Sequence, residues 1–180
     1  QGKAEAVRQG IKTLIKTHKF QFLGYWDADL ATPLSTIPEF IGKFQNNRAL
    51  VAVCGSRILR LGASIQRSVV RHYIGRVFAT VASNILNIPV YDTQCGAKLF
   101  CTEHAEVIFS EHFISRWFFD VELFARSIEL MGREKTVNSI YEIPLSKWHD
   151  QGESKVTWGS IIRTPIDLFR IYYHYRNRVD

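Results

Sequence analysis

Only three cysteines occur in the 180 residues, Cys54, Cys95 and Cys101, and no two form a C-x-x-C pair. An odd count without that spacing argues against a disulfide framework or a zinc site, and fits a reducing cytoplasm. The six histidines form no H-E-x-x-H or similar cluster. No apolar run approaches the roughly 18 residues that suggest a membrane span. Internal repeats, low-complexity tracts and linkers are absent. No signal peptide opens the chain; it starts at Gln1 on a helix-like pattern, and a missing N-terminal part is expected. Acidic side chains are the scarcer charge, 17 against 23 Lys and Arg, for a formal net charge of +6. That balance permits an anionic partner: nucleic acid, a phosphate ligand or an acidic membrane face. The length suits one domain, and 46% hydrophobic residues exclude disorder.

What is present centres on Tyr25-Trp26-Asp27-Ala28-Asp29-Leu30-Ala31-Thr32-Pro33-Leu34. The apolar run 22–26 reads as a strand leading into two aspartates spaced i, i+2. In extended backbone both carboxylates point the same way, and their repulsion is relieved by a cation between them. Mg²⁺ takes one or two carboxylates and completes its shell with water and phosphate oxygens. Asp27 and Asp29 are therefore candidates for a metal–diphosphate site, the alternative being an ordinary Asp-rich turn.

Helical spacing of Val7, Ile11, Leu14 and Ile15 predicts a helix over 3–17. A second helix is expected from Thr36, with Glu39 as reciprocal capping partner and Ile37, Phe40, Ile41 and Phe44 as its buried stripe, ending by 46–47. Residues 50–54 read as a buried strand opening into Gly55-Ser56-Arg57. A long helix is expected over 65–86, burying Val69, Val70, Tyr73, Ile74, Val77, Phe78, Val81, Ala82 and Ile85. Arg67 and Arg71 stand one turn apart beside Gly75, able to hold a phosphate or to form a solvated basic edge. Tyr91 to Phe100 is a polar turn entering a strand. Asp120 opens a helix running to about residue 131, as a cap or as a base in a cleft. Residues 136–144 alternate as a strand, and 147–156 read as a loop. The last helix is expected to start with Thr164 as cap and Pro165 at its first position, with Ile162, Ile166, Phe169, Tyr172 and Tyr173 on one side. A basic, aromatic, amphipathic end either lies on an anionic membrane or packs on the domain.

The order of these stretches is more specific than any one of them. Gly2-Lys3-Ala4-Glu5-Ala6-Val7-Arg8, Asp27 to Pro33, Gly55-Ser56-Arg57, Gln94-Cys95-Gly96-Ala97-Lys98, Phe119-Asp120-Val121-Glu122-Leu123 and Gly152-Glu153-Ser154-Lys155-Val156 together resemble the family 2 glycosyltransferases of GT-A fold. Within them the chain looks most like the dolichyl (polyprenyl) phosphate β-glucosyltransferases. The resemblance implies an α/β, Rossmann-like three-layer αβα sandwich with a mostly parallel central sheet. The opening strands that grip the nucleotide base have no counterpart here. Residues 1–180 would be the C-terminal major part of one such domain, with 158–180 as an amphipathic basic helix. Ala31 offers no side chain where some relatives carry a polar residue near the metal.

The resemblance also implies roles. Asp27 and Asp29 would hold Mg²⁺ or Mn²⁺ on the donor diphosphate, with Lys3 and Arg8 near the donor. Arg57, Arg71 and Lys155 would hold the acceptor phosphate, and Asp92 and Asp120 would be the acids closest to the reacting centre. The reaction would be an inverting transfer, from UDP-glucose or alternatively GDP-mannose, to a polyprenyl phosphate at the cytoplasmic face of a membrane. The other acceptor considered is a sugar hydroxyl in surface-polysaccharide assembly. A phosphate monoester has its second pKa near about 6 and needs positioning, not deprotonation. A hydroxyl needs a base, worth about 10²–10⁴ in rate. Nucleic acid fits poorly as partner, because the aromatics fall on faces expected to be buried and are not interleaved with Lys and Arg.

Overall fold

The computed structural model describes residues 2–66, 69–149 and 158–176, the side chains of 69–71 and 158–164 excepted. Helix α1 (Lys3–Thr17) buries Ala4 and Ile11 and leads to strand β1 (Phe22–Trp26). Strict alternation along β1 sends Leu23 and Tyr25 to one face of the sheet and Phe22 and Trp26 to the other. Helix α2 (Ile37–Asn46) covers the second face with Phe40 and Phe44. The expected capping box does not form: Thr36 has helical backbone, and its hydroxyl donates to the Pro33 carbonyl at 2.7 Å. Strand β2 (Ala52–Ser56) is buried at all five residues and starts two positions later than expected.

Three strands of the central sheet, in the order β1-β4-β2-β5, share one direction. Strand β4 (Ala97–Cys101) lies between β1 and β2 and runs against both. Strand β5 (Ile140–Pro144) pairs in parallel with β2. Because β4 is reversed, its first residue, Ala97, stands opposite Trp26, the last of β1. The loop entering β4 therefore opens at the same edge as the loops leaving β1 and β2. On the face away from α2 lie α1, α4 (Thr102–Ile108) and α5 (Phe119–Met131), giving the three-layer arrangement. Residues 119–128 of α5 are all buried, so this helix is the centre of that layer.

Several local expectations change. Residues 64–66 form a short strand, β3 (Ser64–Gln66), paired in parallel with β6 (Lys147–His149), so α3 begins only at Val69 and runs to Leu86. Residues 136–139, expected as the start of a strand, belong instead to helix α6 (Arg133–Ser139). The last helix, α7 (Trp158–Tyr175), begins before Thr164 and carries Pro165 inside it. The outer helices also turn differently from the expected faces. In α3, Ala79, Ala82 and Leu86 are buried, while Tyr73, Ile74, Val77 and Val81 are exposed. In α7, Leu168, Ile171 and Tyr175 are buried, while Ile166, Phe169, Tyr172 and Tyr173 face outward. Both helices pack on α5 and on each other through their smaller apolar surface.

Candidate active site

The strand ends gather the expected residues at one edge of the sheet. Asp27 follows β1 directly, and its backbone N–H donates to the Gly96 carbonyl at 2.7 Å. A Cβ on Gly96 would lie 1.9 Å from the Asp27 carboxylate, so only glycine lets the two segments approach this closely. Lys3, in the first turn of α1, places its Nζ 2.6 Å from Asp27 Oδ1, and both side chains remain partly exposed. Asp29 caps a tight turn by accepting from the Ala31 N–H at 3.0 Å. Leu30, between them, has φ of 52°, a left-handed conformation that is costly for a residue with a Cβ.

Arg57 leaves β2 at the same edge and is gripped by Asp92. Its Nε and Nη2 donate to the two Asp92 oxygens at 2.7 and 2.8 Å, and its backbone N–H donates to Oδ2 at 3.1 Å. The guanidinium also lies 5.5 Å from the centre of the Trp148 ring. Burial pushes the Asp92 carboxyl up, but the charge and hydrogen bonds of Arg57 outweigh it and hold the group well below the usual carboxylate range. Burial likewise opposes the charge on Arg57. Asp92, with a smaller contribution from Asp27, more than restores it. Asp27 and Arg57 each follow the last residue of a strand, β1 and β2, and those strands run in the same direction. Glu142, at β5, accepts from the N–H groups of Tyr91 and Asp92 at 2.7 and 2.8 Å and so fixes the backbone of the Asp92 loop.

Two expected site residues bond within the chain. Arg8 is 5% exposed and donates to the carbonyls of Glu111 and Ser110 and to the Glu5 carboxylate. Its guanidinium fork is committed to these groups of the chain. Asp120 neither caps α5 nor opens to a cleft. It is 1% exposed, and its Oδ1 accepts from the Tyr25 hydroxyl and from Lys98 Nζ, the latter at 2.5 Å. Arg71 has its backbone in α3 but its side chain lies outside the described residues, as do Arg67 and Lys155.

Residues without an expected role complete the site: Gly96, Trp148, Glu142 and above all Lys98. A lysine between apolar neighbours in a buried strand was the available signal. Among the described residues, Trp26 Nε1, Ser56 Oγ, Thr93 Oγ1 and Gln94 Nε2 are buried polar atoms without a hydrogen-bond partner. Each belongs to a residue next to the strand ends, where a polar ligand would offset a cost of about 1–3 kcal/mol apiece. The buried thiols are poor nucleophiles: burial raises Cys54 to about 12 and Cys95 to about 11.

Whether a divalent cation fits can be judged from the donors. Asp27 already holds one cation, the Lys3 ammonium, so its carboxylate is set to accept positive charge. Among the described residues no group of three or more His, Cys, Asp or Glu converges on one point. Mg²⁺ or Mn²⁺ needs only one or two carboxylates, which Asp27 and Asp29 would supply, the rest of the shell coming from water and diphosphate oxygens.

No protein-family model matches the chain. A dolichyl-phosphate β-glucosyltransferase of Trichomonas vaginalis is 31% identical over 155 residues, 83% of this chain and 44% of the relative. The enzyme of that name from Dictyostelium discoideum is 31% identical over 97% of this chain and 51% of its own length, and the human one 29% over 97% and 52%. The chain thus spans about half the length of the curated relatives it matches. Among solved structures, glucosyl-3-phosphoglycerate synthase from Mycobacterium tuberculosis with UDP superposes with a TM-score of 0.68 at 15% identity, covering 96% of this chain and 56% of that one. The same synthase with Mn²⁺, UDP-glucose and phosphoglyceric acid gives 0.69 at 14%, covering 96% and 55%. By sequence the chain is similar to dolichyl-phosphate β-glucosyltransferases, and it shares the fold of these synthase structures, the GT-A fold.

Proposed function

We propose that this chain carries the metal and acceptor side of an inverting glucosyltransferase that moves glucose from UDP-glucose to a polyprenyl phosphate. The observation that carries the reading is the joint placement at one sheet edge of Asp27, held against Gly96, and the Arg57–Asp92 pair. Support comes from relatives named for dolichyl phosphate and from fold neighbours solved with Mn²⁺ and UDP-glucose.

Asp27 and Asp29 would hold Mg²⁺ or Mn²⁺, which supplies charge neutralisation as the diphosphate leaves. Lys3 stands by to take the same role on the donor side when the carboxylate turns to its ligand. Arg57, kept charged and oriented by Asp92 and Trp148, presents guanidinium N–H groups to the acceptor phosphate, with Arg71 and Lys155 as further cations. A phosphate oxygen lone pair forms the bond to the anomeric carbon. The bond from that carbon to the diphosphate breaks, and its electron pair departs with the nucleotide. No proton moves, because the acceptor is already a dianion at neutral pH. The burial of Asp120 in an ion pair favours this acceptor over a sugar hydroxyl, which would need an accessible base.

The outward faces of α3 and α7 suit a membrane surface. Exposed Tyr73, Ile74, Val77, Ile166, Phe169 and Tyr173 are accompanied by five arginines and one acid over 69–86 and 158–176. Among the described residues no helix is long and apolar enough to cross a membrane. We place the protein peripherally at a cytoplasmic membrane face. The test is transfer of labelled glucose by the full-length protein. Label entering the organic phase with dolichyl phosphate, lost with EDTA and regained with Mn²⁺, supports the reading. Label entering only water-soluble glycan overturns it.

A further inference from the structure

Lys98 is fully buried in the middle of β4, paired across the sheet with Tyr25 on one side and Cys54 on the other. A bare ammonium there would be prohibitive, so its partners explain its presence. Its Nζ donates to the Thr93 carbonyl at 2.9 Å, to the Cys95 carbonyl at 2.6 Å and to Asp120 at 2.5 Å. The two carbonyls belong to the loop that carries Asp92 before them and Gly96 after them. Gly96 in turn abuts the Asp27 carboxylate and accepts its N–H. One buried charge thus ties together the end of β1, the loop entering β4 and the start of α5.

We propose that Lys98 is the positioning residue of the site, its ammonium setting the 92–96 loop and through it Asp27 and Arg57, and that Asp120 serves as the counter-ion of Lys98, not as a base. This rests on the proposed reading of Asp27 as a metal–diphosphate ligand. It accounts for three features together: a fully buried carboxylate, a lysine inside an apolar sheet, and a Tyr25 hydroxyl spent on that same carboxylate. Burial lowers the affinity of Lys98 for its proton, and Asp120 chiefly, with Cys54 and Cys95, more than restores it. The titratable and charged groups facing it are Tyr25, Cys54, Cys95, Asp92, Asp120 and Glu142.

The experiment is a double-mutant cycle in the full-length protein with Lys98→Met and Asp120→Asn, reading Mn²⁺-dependent UDP binding and glucosyl transfer. Lys98→Met is expected to weaken UDP–Mn²⁺ binding and transfer by about 10–100-fold, the usual effect of removing a group that orients metal ligands. Asp120→Asn alone is expected to reduce transfer and to give the pH profile a new alkaline limb, since a buried ammonium without its counter-ion loses its proton at lower pH. On the Lys98→Met background Asp120→Asn should cost nothing or restore activity. Equal losses from Asp120→Asn on both backgrounds, or a loss uniform across pH, would show a base acting on substrate and overturn the proposal. Unchanged UDP–Mn²⁺ affinity in Lys98→Met overturns it as well. If Lys98→Met does not fold, the pH profile of Asp120→Asn decides alone. Failure of the wild-type protein to bind UDP with Mn²⁺ instead sinks the proposed function, and this inference with it.

Discussion

Two groups of charged side chains flank α5, and they are used in opposite ways. On the α1–α4 side, Arg126 donates to the carbonyls of Ile108, Glu111 and His112 and pairs with Glu122, while Arg8 and Lys12 hold the carbonyls of Ser110 and Glu111. Glu122 accepts from the Ile114 N–H and the Tyr175 hydroxyl. These charges staple the 108–115 segment to the helices. At the sheet edge, Lys3 faces Asp27 and Arg57 faces Asp92, side chain to side chain. A charge bonded to main-chain oxygens can leave them only by local unfolding. A charge bonded to a partly exposed side chain, as Lys3 is to Asp27, can exchange it for a ligand, whereas the buried Arg57–Asp92 pair stays made and orients the guanidinium.

The contrast can be broken from either side. The largest effect is expected from Asp27→Ala, which should lower transfer by about 10³-fold, since metal charge stabilisation is worth several kcal/mol. Its urea midpoint should stay within error of wild type. Arg126→Ala should do the reverse. It leaves the buried Glu122 without its counter-charge, at a cost of about 3–5 kcal/mol in urea unfolding, with turnover per folded molecule nearly unchanged. Gly96→Ala forces the Asp27 carboxylate aside, and a loss of about 10–100-fold in Mn²⁺-dependent UDP binding is expected, again with little change in melting temperature. The smallest effect concerns His104, on the stapled side and bonded to Ser127 at 2.9 Å. Burial lowers its pKa from 6.5 to about 4. Below pH 6.5 the unfolded chain binds a proton that the folded chain refuses, so stability should fall as pH drops from 6.5 toward 4. His104→Gln should flatten that part of the stability–pH curve, and unfolding midpoints at pH 7 and pH 5 would reveal it.

Much of this frame was legible in the residues. Apolar spacing gave the helix over 3–17 and the strand over 22–26 to the residue, because both have a clear period and polar flanks. The three-residue strands β3 and β6 escaped, since so short a run has no period to read. The apolar faces of α3 and α7 were misassigned because periodicity reports a stripe, not what covers it. At the site, Asp27 and Arg57 follow strand ends that the apolar runs before them marked, and Asp92 pairs with Arg57. The state of Asp120 was hidden for a physical reason: its partners Tyr25 and Lys98 lie 95 and 22 residues away in sequence. The partners of Arg8 were hidden in the same way, being carbonyls a hundred residues on.

The reversed strand has a consequence for how the chain folds. Among the described residues β1 has no sheet neighbour except β4, and β2 has only β4 and β5, both made later. Among the described residues, the strands of the first sixty positions therefore have no sheet pairing with one another. They wait for residues 97–101 to slide between them, a long-range step that topology makes slow. Asp27 meets Gly96 in that same step, so closing the sheet and seating Asp27 against the 92–96 loop are a single kinetic event.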